Sequence, residues 1–118
     1  MKKILLVDDE ITFINLFKKK YENKYKIINA TNADEGVEVF KKEKPDLVLM
    51  DLFLYDKDGI YCLKEILKLD KHAKVIMFTC LLGSALEEKC LKAGAIDYLQ
   101  KEFNEHLNYR IEKALEEK

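Results

Sequence analysis

The sequence predicts an α/β protein in which five parallel β-strands form one sheet and α-helices cover both of its faces. Short apolar runs alternate along the chain with amphipathic stretches at helical spacing. Most of these runs are continuous rather than alternating, as expected for strands that are buried on both faces. A strand followed by a helix, repeated about five times, predicts a single-domain, doubly wound (βα)5 sheet.

Five apolar runs are the predicted strands. They cover residues 4–7, 27–28, 47–50 and 75–78, and the last is the segment that ends at residues 98–99. The second run is the shortest and has the most polar neighbours, so we predict that it lies at an edge of the sheet. Pro45, the only proline, precedes the third run, where it would end the helix before it.

The stretches between and after these runs are the predicted helices, because apolar side chains recur in them three or four residues apart. The recurring residues are Phe13, Phe17 and Tyr21; Ala33, Val37 and Phe40; Ile60, Leu63 and Leu67; Leu86 and Cys90; and Phe103, Leu107, Ile111 and Leu115. Capping boxes are predicted at Asn32 with Glu35 and at Ser84 with Glu87.

Length and composition favour one compact domain, residues 1–118. Hydrophobic residues make up 48% and charged residues 36%, which suits a core with a solvated surface. The formal net charge of -1 argues against general attraction to nucleic acid or to a membrane. No apolar run is long enough for a bilayer span or a signal peptide, so we expect a cytoplasmic protein.

The three cysteines, Cys62, Cys80 and Cys90, are odd in number and widely spaced. Their spacing indicates neither a disulfide framework nor a zinc site, since no CxxC pair occurs. We therefore predict that all three are buried free thiols.

Polar side chains follow four of the five predicted strands. They are Asp8, Asp9 and Glu10 after the first, Asp51 after the third, Thr79 after the fourth and Lys101 after the fifth. Each alone would usually be a helix cap or a solvated charge, but parallel strands bring them to one edge of the sheet. Clustered carboxylates need a cation, and oxygen ligands favour Mg2+. A lysine and a hydroxyl that can hold phosphoryl oxygens make phosphoryl transfer the best-fitting chemistry.

Several segments resemble bacterial two-component response-regulator receiver domains. Residues 4–10 look like the opening of those domains, and residues 44–51 look like their phosphoacceptor strand. Asp58-Gly59, Phe78-Thr79 and residues 92–99 followed by Lys101 match the start of the third helix, the switch threonine and the last strand with its lysine. The resemblance covers essentially the whole chain. It implies a flavodoxin-like strand order 2-1-3-4-5 and a domain like the stand-alone chemotaxis regulators, and it leaves open whether the natural protein carries an output domain.

The resemblance implies roles for the acidic residues. Asp51 would be the phosphoacceptor, attacking a phosphohistidine on a histidine kinase or a histidine phosphotransfer protein. Asp9 and Asp51 would bind Mg2+ directly, Asp8 mainly through water, and the backbone carbonyl of Phe53 would complete the protein ligands. The domain would catalyse only its own phosphorylation and dephosphorylation, and would not be a turnover enzyme.

The remaining roles implied by the resemblance concern the switch. Lys101 would pair with one phosphoryl oxygen, Thr79 would donate its hydroxyl to another, and Tyr98 would turn inward when Thr79 moves. The face built from the fourth helix, fifth strand and fifth helix would then change. That face would contact a downstream target protein, an output domain or a second copy in a homodimer, with no direct contact to nucleic acid or membrane.

The chain departs from the family pattern in three places. Glu102 replaces the usual proline after the lysine and brings negative charge near the site, Cys80 follows the switch threonine where a small residue is preferred, and Tyr55 stands where proline is common. These changes concern the activation geometry rather than the acceptor. The resemblance also implies that the side chains two positions after the acceptor and two after the switch threonine, here bulky, apolar Phe53 and Leu81, flank the path of the hydrolytic water, which predicts a long-lived acyl phosphate.

Two other interpretations remain open from the sequence. Residues 8–12 loosely resemble the DxDxT start of haloacid-dehalogenase-like aspartyl-phosphate hydrolases, with Glu10 in the second acidic position. Against this, the late acidic pair and a cap domain are missing. A pseudo-receiver that binds partners without phosphate is the other alternative, favoured by Glu102 and opposed by the complete set of site residues. Phosphate on Asp51 would indicate a receiver, whereas phosphate on Asp8 would indicate the hydrolase.

Overall fold

A computed structural model describes residues 1–117, in which five strands alternate with five helices. The strands are β1 (Lys3–Val7), β2 (Lys26–Ala30), β3 (Leu47–Met50), β4 (Val75–Thr79) and β5 (Asp97–Gln100). The helices are α1 (Ile11–Tyr21), α2 (Ala33–Glu43), α3 (Gly59–Leu69), α4 (Ser84–Lys92) and α5 (Glu105–Glu116). Within residues 1–117, none of the helices has the length and apolar content that crossing a membrane requires.

All five strands are parallel and lie in the order β2-β1-β3-β4-β5. The predicted flavodoxin-like fold is therefore confirmed, with β2 at one edge as expected. The ends of the two central strands are aligned, since Val7 of β1 lies beside Met50 of β3. This register brings the residues that follow β1 and β3 to the same height at the carboxyl edge of the sheet.

Each central strand buries side chains on both faces, which explains why its sequence is continuously apolar. Leu5 and Val7 pack with residues from α2, α3 and α4 on one face, whereas Ile4 and Leu6 pack with residues from α1 and α5 on the other. The sheet is thus covered on both sides, and its carboxyl edge is left for the loops.

The helix boundaries follow the predicted caps at one helix but not at another. The side chain of Asn32 accepts a hydrogen bond from the Glu35 amide at 2.8 Å, as the capping box predicts. The box at Ser84 is wrong, because the N-cap of α4 is Gly83 and no side chain caps this helix. The amide of Glu87 instead bonds to the Gly83 carbonyl at 2.9 Å, which places Ser84 inside the first turn.

The burial of the thiols differs from the prediction at one position. Cys62 and Cys90 are buried and free, as expected, and burial raises the pKa of the Cys62 thiol to about 12. Cys80 is exposed, so the prediction is wrong there. It follows the last residue of β4 and lies in the loop between β4 and α4.

Candidate functional site

The structure brings the polar side chains that follow β1, β3, β4 and β5 to one edge of the sheet. The amide of Asp51 donates to the Val7 carbonyl at 2.9 Å, which continues the pairing of β3 with β1 past the last strand residue. On the other side, the amide of Lys101 donates to the Thr79 carbonyl at 2.8 Å. These backbone bonds hold the acidic residues and the lysine in fixed positions relative to one another.

Three carboxylates form the acidic part of this site. Asp8, Asp9 and Asp51 each offer one oxygen, and these oxygens all lie within 4.8 Å of one another. Asp8 is fully buried, Asp51 is buried and Asp9 is exposed. Burial raises the pKa of both Asp8 and Asp51, because the charged form loses its hydration.

This donor set suits a hard divalent cation. All three ligand atoms are carboxylate oxygens, and one side of the group is open to solvent through Asp9. The buried Oδ2 of Asp8 also accepts no hydrogen bond within the described residues. Mg2+ prefers oxygen ligands and keeps several waters, so the three residues fit this ion.

Lys101 supplies the positive charge, and its side chain is only 3% exposed. Its Nζ lies 2.7 Å from Asp8 Oδ2, 2.7 Å from Glu10 Oε1 and 3.6 Å from Asp51 Oδ2. The contact with Asp8 is a close ion pair that lacks hydrogen-bond angles, whereas the contact with Glu10 is a hydrogen bond. Burial alone would lower the pKa of the Lys101 ammonium, but Asp8 and Glu10 outweigh it and raise the pKa above its usual value.

Gly59 fixes the loop that leaves β3 and carries the candidate acceptor. Its amide donates to the Leu52 carbonyl at 2.7 Å, and a Cβ at this position would lie 2.2 Å from the Asp51 carbonyl oxygen. Only glycine allows this approach, since the opposing atom is backbone and cannot move aside. The side chain of Asp58 caps α3 by accepting from the Tyr61 amide at 2.8 Å. Asp58 therefore starts α3, and Gly59 packs against the backbone of Asp51 and Leu52.

Phe53 lies in this loop beside the candidate acceptor. Its amide donates a long hydrogen bond of 3.4 Å to Asp51 Oδ1, and 54% of the residue is exposed. The role of its carbonyl as a metal ligand remains a prediction.

Thr79 and Tyr98 are connected through the backbone of Leu81. Thr79 is 1% exposed, and the Leu81 amide lies 3.5 Å from its Oγ1. Tyr98 is buried, and its hydroxyl donates to the Leu81 carbonyl at 2.7 Å. The β4–α4 loop therefore contacts both residues of the predicted switch, a connection that the sequence does not indicate.

The loop after β5 carries Glu102 and Phe103, for which the sequence predicts a charge near the site and a place in the last helix. All peptide bonds among the described residues are trans, including the one before Glu102. The carboxylate of Glu102 contacts the side chain of Asn104 at 3.4 Å. The glutamate that bonds to the Lys101 ammonium is Glu10. Phe103 precedes α5 instead of joining it, and its ring stacks on Phe13 at 5.2 Å.

A doubly wound parallel sheet with three clustered carboxylates, a buried hydroxyl and a buried lysine at its carboxyl edge defines an α/β domain of the phosphoryl-transfer class. The family model described as response regulator receiver domain matches residues 4–112. The chain belongs to this family, whose members are phosphorylatable switches of two-component signalling.

Relatives and solved structures agree with this family. The chain is similar to the chemotaxis protein CheY of Thermotoga maritima, at 38% identity over 105 residues that cover 86% of this chain and 87% of the relative. The structure resembles a CheY-like receiver domain from Methanospirillum hungatei with a TM-score of 0.91 and 31% identity, covering 98% and 94% of the two chains. It also resembles the response regulator TrrA of Thermotoga maritima in complex with Mg(2+)-BeF, with a TM-score of 0.87, 33% identity and coverage of 97% and 99%.

Proposed function

We propose that Asp51 accepts a phosphoryl group from a phosphohistidine on a histidine kinase or a histidine phosphotransfer protein. The observation that carries this proposal is a buried Asp51 carboxylate 3.6 Å from the Lys101 ammonium, beside two further aspartates. A carboxylate oxygen of Asp51 forms the new O–P bond while the P–N bond to the imidazole breaks and the imidazole leaves. The reaction modifies the domain itself, so the domain acts as a switch and not as a turnover enzyme.

The other site residues position and neutralise the transferred group. Asp9 and Asp51 would hold Mg2+ directly, Asp8 would do so through water and the Phe53 carbonyl would complete the protein ligands, and the ion would supply positive charge to the phosphoryl oxygens. Lys101 gives a second positive charge, 3.6 Å from Asp51 Oδ2. Thr79 is fully buried at the end of β4, where its hydroxyl can donate to a third oxygen.

The partners follow from the same role. We propose a cytoplasmic protein that receives its phosphoryl group from a histidine-containing partner and signals to a target protein or output domain. Exposed apolar side chains occur on α4, just before β5 and on α5, namely Leu91, Ile96 and Tyr109. This face suits a target contact or a homodimer contact, and no direct role at nucleic acid or membrane is proposed.

Mapping the phosphate tests the proposed function directly. We expect acetyl phosphate with Mg2+ to add one phosphoryl group, and peptide mass spectrometry to locate it on Asp51. Asp51→Asn should abolish the modification, whereas Asp70→Asn, an exposed aspartate at the end of α3, should leave it intact. Phosphate on Asp8 would indicate the hydrolase instead, and an unmodified wild-type protein would indicate the pseudo-receiver.

The switch role of Thr79 gives a second prediction. Thr79→Ala should still accept phosphate but should transmit less of the change to the α4-β5-α5 face, because the contact between Oγ1 and the Leu81 loop is lost. Amide chemical shifts of that face, recorded with and without beryllofluoride and Mg2+, measure the response. Equal shifts in the variant and the wild type would show that the coupling uses another route.

A further inference from the structure

Glu10 is placed on the lysine of the site rather than on the helix that it precedes. It is the N-cap residue of α1, yet its side chain makes no cap hydrogen bond. Glutamate is also not among the preferred N-cap residues. Its carboxylate instead accepts a hydrogen bond of 2.7 Å from Lys101, which lies 91 residues away along the chain. The side chain is therefore directed to Lys101 in place of the local backbone.

Two carboxylates already lie close to the Lys101 ammonium in the structure. An ammonium has three hydrogens to donate. Asp8 and Glu10 each lie 2.7 Å from the nitrogen, and the centre of the Phe13 ring lies 4.5 Å from it. Asp51 is the most distant of the three carboxylates, at 3.6 Å. A phosphoryl oxygen on Asp51 that makes a short contact with Lys101 therefore competes with these two carboxylates for the same ammonium.

Glu10 is the partner that can leave. The carboxylate of Asp8 is fully buried and its Oδ1 accepts from the Glu10 amide at 2.9 Å, so it cannot turn away without losing that bond. The Glu10 side chain is 63% exposed, and it can return to water at little cost. Of the two close contacts, the one with Glu10 is thus the weaker.

We infer that Glu10 is a positioning residue that holds the Lys101 ammonium in the unphosphorylated protein and competes with the phosphoryl group for it. The inference rests on the proposed role of Asp51 as acceptor. Lys101 bonds to Glu10 in the unphosphorylated protein and to a phosphoryl oxygen in the phosphorylated protein, and the first contact is lost when the second forms. Glu10 therefore lowers the affinity of the site for a phosphoryl group and helps to set the balance between the two states.

Beryllofluoride binding in the presence of Mg2+ tests the competition, because this anion imitates an acyl phosphate on a carboxylate. We expect Glu10→Gln to bind it about two- to fivefold more tightly than the wild type, the range given by loss of one exposed ion pair. Amide chemical shifts measure the binding. Glu102→Gln is the matched control, since it removes the same charge from an exposed residue next to Lys101 that makes no contact with its ammonium.

Two results would overturn the inference. One is equal tightening in Glu10→Gln and Glu102→Gln, which would indicate a general charge effect. The other is unchanged affinity in Glu10→Gln.

A second measurement does not use the phosphate analogue. The 15Nζ signal of Lys101 in the phosphate-free protein should change in Glu10→Gln and stay constant in Glu102→Gln, because only Glu10 bonds to this nitrogen. An unchanged signal in Glu10→Gln would contradict the hydrogen bond between Glu10 and Lys101. The signal could respond in Glu10→Gln while the wild type binds no beryllofluoride and gains no phosphate. In that case the Glu10–Lys101 contact is supported, but its competition with a phosphoryl group and the proposed function both fail. If phosphate still maps to Asp51 and Glu10→Gln behaves like the wild type, only the inference fails.

Discussion

Asp9→Ala and Asp51→Ala should lose nearly all Mg2+ binding, with affinities at least about tenfold below that of the wild type. The two residues provide two of the three carboxylate oxygens that lie within 4.8 Å of one another, and Mg2+ has few other protein ligands available at this edge. Isothermal titration calorimetry or amide chemical shifts measure the loss. In the wild type, Mg2+ should also raise the melting temperature, because it binds only the folded protein.

A matched control separates loss of the site from loss of charge. Asp70→Ala removes an exposed carboxylate from the end of α3 and should bind Mg2+ as the wild type does. Asp51→Ala without metal should keep its fold, since it removes a buried charge that repels Asp8 and Asp9. Equal titrations for the wild type and both site variants would show that these carboxylates do not hold the ion.

Replacing Phe53 with Asn and Leu81 with Glu should shorten the lifetime of phospho-Asp51 by about tenfold or more, since hydrolysis depends on a correctly placed water. The amides of both residues face the site, at 3.4 Å from Asp51 Oδ1 and 3.5 Å from Thr79 Oγ1. Neither side chain can hydrogen-bond to a water, whereas Asn and Glu can orient one. Decay of the phosphorylated protein, followed by intact mass, measures the lifetime.

The neighbouring residues provide controls for this experiment. Tyr55 and Leu82 are more exposed than Phe53 and Leu81, at 91% and 61% against 54% and 45%. Tyr55→Asn and Leu82→Glu should leave the lifetime unchanged, because they alter the same loops without changing the two predicted positions. Glu102→Pro, measured in parallel, tests whether the carboxylate after Lys101 orients water itself. A half-life that the Phe53 and Leu81 replacements do not change would show that access of water is not limiting.

Most of the fold could be predicted because it depends on local patterns. The continuous run at residues 47–50 required a strand buried on both faces, and the polar neighbours of residues 27–28 placed β2 at an edge. Helix boundaries were predicted less well, since the capping pattern at Ser84 predicts a helix from residue 85, whereas α4 begins one residue earlier, at Ser84. Gly83 takes the cap position in the structure, and Phe103 packs on Phe13 in place of extending α5.

By itself, the sequence determined the five-stranded α/β fold and the set of polar residues that end its strands. Parallel strands share a carboxyl edge, so their order along the chain was enough to group Asp8, Asp51, Thr79 and Lys101. Only the tertiary structure decided which of two glutamates, Glu10 or Glu102, joins Asp8 at Lys101, because this contact depends on how distant loops approach. The exposure of Cys80 and the link of Thr79 to Tyr98 through Leu81 were decided in the same way. Local periodicity records which face of an element is buried, but contacts between loops far apart in the chain arise only when the sheet is assembled.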